Sequence, residues 1–177
     1  MRPASAFLGG RTFTIRDATE EDVPALAALL ADDPIGATRE QVEDLRPYLV
    51  AFRAIDADPA HLLVIVADLD GTIAATLQLT LIPALSRRGL LRGQIEGVRV
   101  ASAYRGGPLG SLLVRWAADE ARSRGAGLVQ LTTDLRRADA RRFYERLGFV
   151  GSHVGMKRDL QMPGRTGAAG TDGAEDC

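Results

Sequence analysis

The fold of this chain is decided by one stretch, Ile95-Glu96-Gly97-Val98-Arg99-Val100-Ala101-Ser102-Ala103-Tyr104-Arg105-Gly106-Gly107-Pro108-Leu109-Gly110-Ser111. Its first six residues are mostly apolar and predict a strand, and the glycines that follow predict a tight turn. Apolar residues then recur at helical spacing from Leu109 to Trp116, so the turn opens a helix. A helix start points backbone N–H groups and a partial positive charge outward, which suits a phosphate group. Glycines at such turns also serve tight packing alone, so the turn by itself leaves both interpretations open.

Two familiar phosphate-binding motifs do not fit this turn. The dinucleotide pattern G-x-G-x-x-G cannot be laid over residues 106–111, and the strand–turn–helix unit comes late in the chain rather than first. A P-loop needs a lysine directly after its glycines, but the only lysine among the 22 basic residues is Lys157. The sequence therefore excludes both motifs.

Strand and helix patterns alternate around this central unit. We predict strands at 12–16, 62–69, 72–82, 92–100, 128–133 and 149–159, with a hairpin turn at Asp70-Gly71. Two helices precede the second strand; the first starts near Val23, and the second is expected to kink at Pro47. A short helix carries Phe143 and Tyr144. The order βααβββαβαβ indicates one α/β domain over residues 12–159, with residues 1–11 flexible and the glycine-rich tail 160–177 disordered.

Composition narrows the class of protein. A content of 46% apolar and 25% charged residues is typical of a soluble globular domain. The net charge of −1 argues against a nucleic-acid partner, and the absence of a long apolar stretch argues against a membrane partner and a signal peptide. One cysteine, Cys177, cannot form an internal disulfide, which fits a reduced, cytoplasmic compartment. Two histidines, His61 and His153, are too few to predict a metal site.

Charge is distributed unevenly along the chain. Residues 17–58 hold 11 acids against 3 arginines, whereas residues 84–146 hold 13 arginines against 6 acids. Two solvated faces would explain this pattern. An acidic half that attracts a cationic substrate and a basic half that holds an anionic cofactor would explain it equally well.

A second block follows about thirty residues after the turn: Ala140-Arg141-Arg142-Phe143-Tyr144-Glu145-Arg146-Leu147-Gly148-Phe149. It matches A-x-x-(F/L)-Y-x-x-x-G-F, a pattern of the GNAT superfamily of acetyl-CoA-dependent N-acetyltransferases. The turn resembles that family's R-x-x-G-x-G/A motif, with Arg105 first, Gly110 last and Pro108 in place of the middle glycine. The resemblance covers residues 12–159. It implies a mixed, mostly antiparallel central sheet, flanked by helices and splayed between its fourth and fifth strands.

The resemblance also implies where the coenzyme lies. The pyrophosphate of acetyl-CoA would lie on the turn, held by the backbone amides of Arg105, Gly106, Gly107, Leu109, Gly110 and Ser111. Backbone groups of Val98 and Val100 would bind the pantetheine arm and polarise the thioester carbonyl. Arg137 stands where the family often has asparagine, and Arg136 or Arg137 could reach a coenzyme phosphate.

Two side chains are candidates for the chemistry. An amine with a pKa of about 10.4 is neutral in only about one molecule in two thousand at pH 7, so a base helps. Glu96 interrupts an apolar strand and resembles a family glutamate that acts as base or binds the amine; it could instead pair with Arg92 or Arg99, or face water. Tyr144 resembles the family's general acid, which protonates the leaving thiolate. Taken alone, Tyr144 would more often be a packing residue.

The resemblance therefore implies an N-acetyltransferase that acts on a primary amine of a small molecule or peptide, uses acetyl-CoA as acetyl donor and needs no metal. The alternative is a non-catalytic acyl-CoA-binding or sensing domain. A generic phosphate-binding module would leave the second block unexplained. A homodimer stays open as the assembly state. The variable regions of the family, here residues 32–57 and 84–91, are generic in composition and do not identify the acceptor.

Overall fold

A computed structural model describes residues 4–32, 40–158 and 160 of the chain. Its strands are β1 (Ala4–Leu8), β2 (Arg11–Asp17), β3 (His61–Asp68), β4 (Ile73–Ile82), β5 (Arg92–Val100) and β6 (Leu128–Leu131). Its helices are α1 (Val23–Ala31), α2 (Arg46–Asp56), the four-residue turn α3 (Ser86–Gly89), α4 (Leu109–Ser123) and α5 (Ala138–Arg146). Two 3-10 turns, Glu20–Asp22 and Ser102–Tyr104, precede α1 and the glycine-rich turn before α4.

One mixed sheet carries the domain, in the order β1-β2-β3-β4-β5-β6. All neighbouring strands are antiparallel except β5 and β6, which are parallel. The hairpin between β3 and β4 turns where the sequence predicts, since Gly71 adopts φ +87° and the Asp68 amide donates to the Thr72 carbonyl at 2.9 Å. The predicted mixed, mostly antiparallel sheet is confirmed.

The sheet opens between β5 and β6. Their pairing runs from Arg92 opposite Leu128 to Ile95 opposite Leu131, where β6 ends. β5 continues to Val100, and beyond Ile95 no described strand pairs with it on that side. Because β1 precedes the expected first strand, β5 and β6 are the fourth and fifth strands of the predicted fold. The splay therefore lies where the resemblance places it.

A β-bulge interrupts β5 at this opening. Gln78 of β4 pairs with Glu96 and Thr76 pairs with Arg99, so Gly97 and Val98 together oppose the single residue Leu77. Gly97 has φ +61°, a conformation that glycine adopts at little cost. The extra residue shifts the alternation of side chains, and Val98 packs toward α4.

Hydrophobic cores cover both faces of the sheet. The larger core lies under α4 and contains Leu77, Leu79 and Ile95 with Leu113 and Val114 of the helix. The smaller core joins α1 and α2 to β3 and contains Val23, Leu26, Phe52, Ile65 and Ala67. α1 also packs on β4 and β5. No helix in the described ranges is long and apolar enough to cross a membrane.

The N-terminal and C-terminal segments differ from the sequence prediction. Ala4–Leu8, expected within a flexible segment, forms β1 and pairs antiparallel with β2. The strand expected at 149–159 is absent between Phe149 and Arg158, which run as irregular chain with Val154 exposed. Alternating apolar residues favour a strand there, but β6 ends at Leu131 and glycines at 151 and 155 weaken the strand. Asp159 and the tail from Gln161 lie outside the described residues.

The second helix also begins later than predicted. α2 starts at Arg46, so Pro47 occupies its first turn and does not kink it. Proline is favoured at that position, because its missing N–H would have no intrahelical acceptor there. The apolar residues Val42, Leu45, Leu49 and Phe52 recur at helical spacing and predict a helix that includes all four, but Val42 and Leu45 precede α2.

Gly93 is required by close packing between β5, β6 and α4. A Cβ at this position would lie 2.9 Å from Val129 Cγ1 and 3.0 Å from Ala121 Cβ. We therefore expect Gly93→Ala to lower the free energy of unfolding by about 1–3 kcal/mol, the usual cost of overpacking. Denaturant titration measures this. Gly151→Ala, whose Cβ would meet only Arg141 at 3.7 Å, is the control; equal midpoints for both variants would contradict the expectation.

Candidate active site

The glycine-rich turn presents a group of free backbone donors. The amides of Tyr104 and Arg105 donate to the Ala101 and Ser102 carbonyls at 2.8 and 3.3 Å, and the Leu112 amide donates to Pro108 at 2.9 Å. Among the described residues, five amides of the turn and first helical turn have no backbone acceptor: Gly106, Gly107, Leu109, Gly110 and Ser111. These donors lie at the positive end of α4, so they fit a phosphate group.

Arg105 differs from the other predicted donors. Its amide is occupied within the 3-10 turn, and its side chain bridges two elements. The guanidinium donates from Nε to the Val100 carbonyl at 3.0 Å and from Nη2 to Asp32 Oδ2 at 3.0 Å, and also to the Asp32 carbonyl. Asp32 Oδ2 additionally accepts from the Ser102 amide at 3.0 Å. The end of α1 is thereby fixed to the glycine-rich turn.

Pro108 fits the helix start. It has φ −79° and ψ −9°, which are helical values, and it immediately precedes the first residue of α4. Without an N–H, it separates the free amides of Gly106 and Gly107 from those that begin with Leu109. Proline in place of the middle glycine of the family motif therefore removes one backbone donor and preserves the geometry of the turn.

The end of β5, the start of α4 and α5 meet around Gly110. A Cβ at Gly110 would lie 3.4 Å from Phe143 Cζ and 3.6 Å from Val100 Cγ2. The carbonyls of Val98 and Val100 accept hydrogen bonds from Arg99 and Arg105 side chains, each at 3.0 Å. The structure thus brings the predicted pantetheine strand and the predicted pyrophosphate turn together beside the second sequence block.

Tyr144 lies on α5 beside Phe143. We call the opening between the unpaired end of β5, the start of α4 and α5 the cleft. Its ring makes edge contacts with Phe143 and Phe149, with centroids 5.1 and 5.8 Å apart. Burial raises the pKa of the Tyr144 hydroxyl, and the positive charges of Arg99 and Arg137 oppose that shift. The hydroxyl therefore stays protonated at neutral pH. Within the described chain it has no hydrogen-bond partner, so it is available as a donor.

Glu96 lies at the opening of the sheet. It directly follows Ile95, the last residue of β5 that pairs with β6, and its side chain is exposed. Its cross-strand partner is Gln78, which places it on the face that α1 and α2 partly cover. In the described part of the chain no basic side chain forms an ion pair with Glu96. Of the two alternatives to a catalytic role, pairing with an arginine or facing water, the structure therefore agrees with the second.

The other charged candidates near the cleft differ in their contacts. The Arg136 guanidinium binds both carboxylate oxygens of Asp134 at 2.9 and 2.8 Å. Arg137 directly precedes α5, and its charge acts on Tyr144. His153 is exposed and contacts the Ser152 hydroxyl at 2.8 Å. No group of three or more histidine, cysteine or acidic residues among the described ones could hold a metal ion.

A second set of contacts, not anticipated from the sequence, supports the outer side of the turn. The Tyr104 hydroxyl donates to Asp68 Oδ2 at 3.2 Å, and Arg11 contacts the same carboxylate at 3.2 Å. Burial and the hydrogen bond to Asp68 raise the pKa of Tyr104. An open cavity of about 210 Å³ lies beside these residues, between the β1–β2 hairpin and the turn. The turn is therefore supported by β2 and β3 as well as by α1.

Comparison with known proteins identifies this arrangement. The model of the Acetyltransferase (GNAT) family matches residues 23–149, which include α1, the turn and α5. The chain belongs to this acetyltransferase family. A solved structure, a transcriptional regulator from Bacillus halodurans, superposes on the GNAT domain described here with a TM-score of 0.80 and 45% identity, covering 84% of this chain and 99% of that chain.

Two curated GNAT relatives match over shorter stretches. Aminoalkylphosphonate N-acetyltransferase from Salmonella typhimurium is 43% identical over 68 residues, which are 38% of this chain and 44% of that protein. Streptothricin acetyltransferase from Streptomyces lavendulae is 45% identical over 56 residues, which are 32% of this chain and 30% of that protein. The chain thus matches less than half the length of either curated relative.

Proposed function

We propose that the protein transfers an acetyl group from acetyl-CoA to a primary amine of a small molecule or peptide. The observation that carries this proposal is the group of five free amides at the start of α4, next to α5. Phe143 of α5 approaches Gly110, and its neighbour Tyr144 carries a hydroxyl without a hydrogen-bond partner among the described residues. Family membership supports acyl transfer, and the named acetyltransferases among the relatives support an amine acceptor.

The residues around the turn fit a coenzyme A pyrophosphate. The five free amides named above converge at the N-terminus of α4, which carries about half a positive charge. Charge-assisted hydrogen bonds from backbone N–H groups to phosphate contribute about 1.5–3 kcal/mol each. The edge of β5 at Val98 and Val100 would hold the pantetheine arm, because no described strand pairs with it on that side. The carbonyls of both residues already accept one hydrogen bond each from an arginine side chain, and a carbonyl oxygen can accept a second.

The chemistry forms one bond and breaks another. The neutral amine attacks the thioester carbonyl, so an N–C bond forms and the C–S bond breaks. The proton lost by the amine passes to Glu96, directly or through a water molecule, and the departing thiolate takes a proton from the Tyr144 hydroxyl. Glu96 then releases its proton to solvent and the Tyr144 phenolate takes one from solvent, so both residues return to their starting states. Backbone donors near the end of β5 would stabilise the negative charge on the carbonyl oxygen.

A second candidate function is acyl-CoA binding without turnover. The Bacillus halodurans relative, 45% identical over most of this chain, is called a transcriptional regulator. Such a protein would keep the turn and the cleft but would not need Glu96. The exposed carboxylate at the opening of the sheet favours the enzyme.

Thioester turnover decides between these two functions. Acetyl-CoA is incubated with the protein and a panel of amines, and the released thiol is followed by absorbance. We expect amine-dependent thiol release above the rate without protein. Tight calorimetric binding of acetyl-CoA with no release for any amine would instead establish the non-catalytic function.

Glu96→Gln should reduce the rate most at low pH. The fraction of neutral amine falls about tenfold per pH unit below its pKa, so a base matters most there. We expect kcat/KM to fall about tenfold at pH 7, below the usual range for a general base because the carboxylate is exposed to water. A pH series of kcat/KM from 6 to about 9 measures this.

Glu21→Gln is the matched control for Glu96→Gln. Glu21 is an exposed carboxylate in the turn before α1, so this substitution removes the same charge away from the cleft. Its rate should equal the unaltered protein's at every pH. A ratio between Glu96→Gln and the unaltered protein that stays constant across the pH series would show that Glu96 does not accept the proton.

A further inference from the structure

Polar side chains form a continuous row across one face of the sheet. His61 of β3 lies opposite Thr80 of β4, Thr80 lies opposite Gln94 of β5, and Gln94 lies opposite Gln130 of β6. Directly opposed residues of neighbouring strands project to the same face, so the four side chains share one surface. We call these four residues the polar row.

Hydrogen bonds fix the polar row in place. His61 Nδ1 contacts Thr80 Oγ1 at 2.9 Å, and Gln130 Nε2 donates to Gln94 Oε1 at 2.9 Å. Gln78, one rung nearer the cleft, donates to Thr80 Oγ1 at 3.4 Å. These side chains are all half-buried. Among described residues, the amide oxygens of Gln78 and Gln130 accept no hydrogen bond, so preorganised acceptors remain unused.

The polar row borders the opening of the sheet. The next rung on the same face is Leu63, Gln78 and Glu96, and the pair Gln94–Gln130 directly precedes the last pair of β5 and β6. The helices α1 and α2 pack over the opposite end of this face, on Ile65 and Ala67. The polar row therefore forms an open floor that leads to Glu96 and the cleft.

The dimensions and charges of this floor restrict its ligand. Across the sheet the polar row spans the three spacings between β3, β4, β5 and β6, roughly 15 Å. Along the strands, one step of two residues to the rung of Glu96 adds a width of roughly 7 Å, so the floor has the size of a sugar or a dipeptide. The carboxylate of Glu96 is complementary to an ammonium group, whereas the glutamine and threonine side chains offer neutral hydrogen bonds. Arg92 lies beyond Gln94 on this face, but it donates to Ser86 Oγ at 2.8 Å and its Nε is buried.

We infer that the polar row is the acceptor floor of the enzyme and selects an amine flanked by neutral hydroxyl or amide groups. This inference rests on the proposed N-acetyltransfer. The amine lies at Glu96, where the sheet opens toward the cleft, and its hydroxyl or amide groups contact Gln78, Gln94 and Gln130. An apolar amine would leave these half-buried amides unsatisfied, which is costly.

Paired acceptors test the inference. D-glucosamine carries hydroxyl groups beside its amine, cyclohexylamine has a similar ring without them, and 2-aminoethylphosphonate is anionic. We expect kcat/KM for glucosamine to exceed that for both other amines by about tenfold or more. The glucosamine-to-cyclohexylamine ratio should collapse at least about fivefold in Gln94→Leu and in Gln130→Leu. A ratio of this kind is insensitive to a change in the amount of folded protein.

Thr14→Val is the matched control, since Thr14 lies opposite Ala67 on β2, outside the polar row. It should leave the ratio unchanged. A preference for cyclohexylamine or for the phosphonate, or an unchanged ratio in both glutamine variants, would overturn the inference while the proposed reaction stands.

If the protein acetylates none of these amines, a binding measurement still tests the acceptor floor. Calorimetry of glucosamine against the protein saturated with coenzyme A reports binding to the floor without chemistry. Binding that is lost in Gln94→Leu and retained in Thr14→Val would support the floor although turnover had failed. Absence of glucosamine binding to the unaltered protein would overturn it.

Discussion

Tyr144→Phe should lower kcat by about 10²–10⁴-fold and leave the affinity for acetyl-CoA nearly unchanged. The substitution removes one hydroxyl and keeps the ring, so the edge contacts with Phe143 and Phe149 survive. Burial raises the pKa of Tyr144, so the hydroxyl is protonated at neutral pH and can supply a proton to the thiolate. Single-turnover kinetics with a saturating amine, together with calorimetry of acetyl-CoA, separates the two quantities.

Tyr104→Phe is the control for this experiment. Tyr104 also borders the turn, but its hydroxyl donates to Asp68 on the outer side. Losing that hydrogen bond should cost about 1 kcal/mol of stability without changing kcat. Equal kcat values for Tyr144→Phe and the unaltered protein would show that Tyr144 serves packing alone, although the family assignment would stand.

Gly110→Val should weaken acetyl-CoA binding about a hundredfold. The Cβ that the substitution adds would already lie at contact distance from Phe143 and Val100, so the two methyl groups of valine must displace α5 or enter the space in front of the free amides. Loss of two charge-assisted hydrogen bonds to phosphate costs about 3 kcal/mol, which corresponds to that factor. Calorimetry with acetyl-CoA measures the effect, and circular dichroism confirms that α4 remains folded.

Ser123→Ala tests whether that effect is local to the turn. Ser123 ends the same helix, far along α4 from Gly110, and its hydroxyl donates to the Glu120 carbonyl. Its affinity for acetyl-CoA should match that of the unaltered protein. Unchanged affinity in Gly110→Val, with the helix intact, would mean that the coenzyme does not lie on this turn.

Local patterns predicted the central elements well. β5 occupies the predicted residues 92–100, and β3 differs by one residue at each end from the predicted 62–69. Both strands are bounded by strong local signals: a glycine-rich turn in one case, and Asp70-Gly71 in the other. The turn before α4 was also located correctly, because glycines and a helical apolar repeat coincide there. The roles assigned to Glu96 and Tyr144 stay predictions.

Features that depend on distant partners were not predictable in this way. β1 is a strand because β2 offers an edge to it, and no local pattern distinguishes residues 4–8 from a flexible segment. The bridge from Asp32 to Arg105 joins residues 73 positions apart. Likewise the polar row becomes visible only when four strands are placed in register, since its members are single polar residues scattered between His61 and Gln130.

The bulge at Gly97 divides β5 into two parts whose side chains alternate between the faces of the sheet in opposite order. Before the bulge, the even-numbered residues Gln94 and Glu96 lie on the face of the sheet that carries the polar row. After it, the even-numbered residues Val98 and Val100 lie on the opposite face, toward α4. A strand in strict alternation would place those two valines on the acceptor side and turn Arg99 into the core. One inserted residue thus turns the two valines toward α4 and keeps Arg99 on the face of Gln94 and Glu96. Which face of the sheet receives the apolar side chains of β5 is therefore set by the number of residues in the strand as much as by its composition.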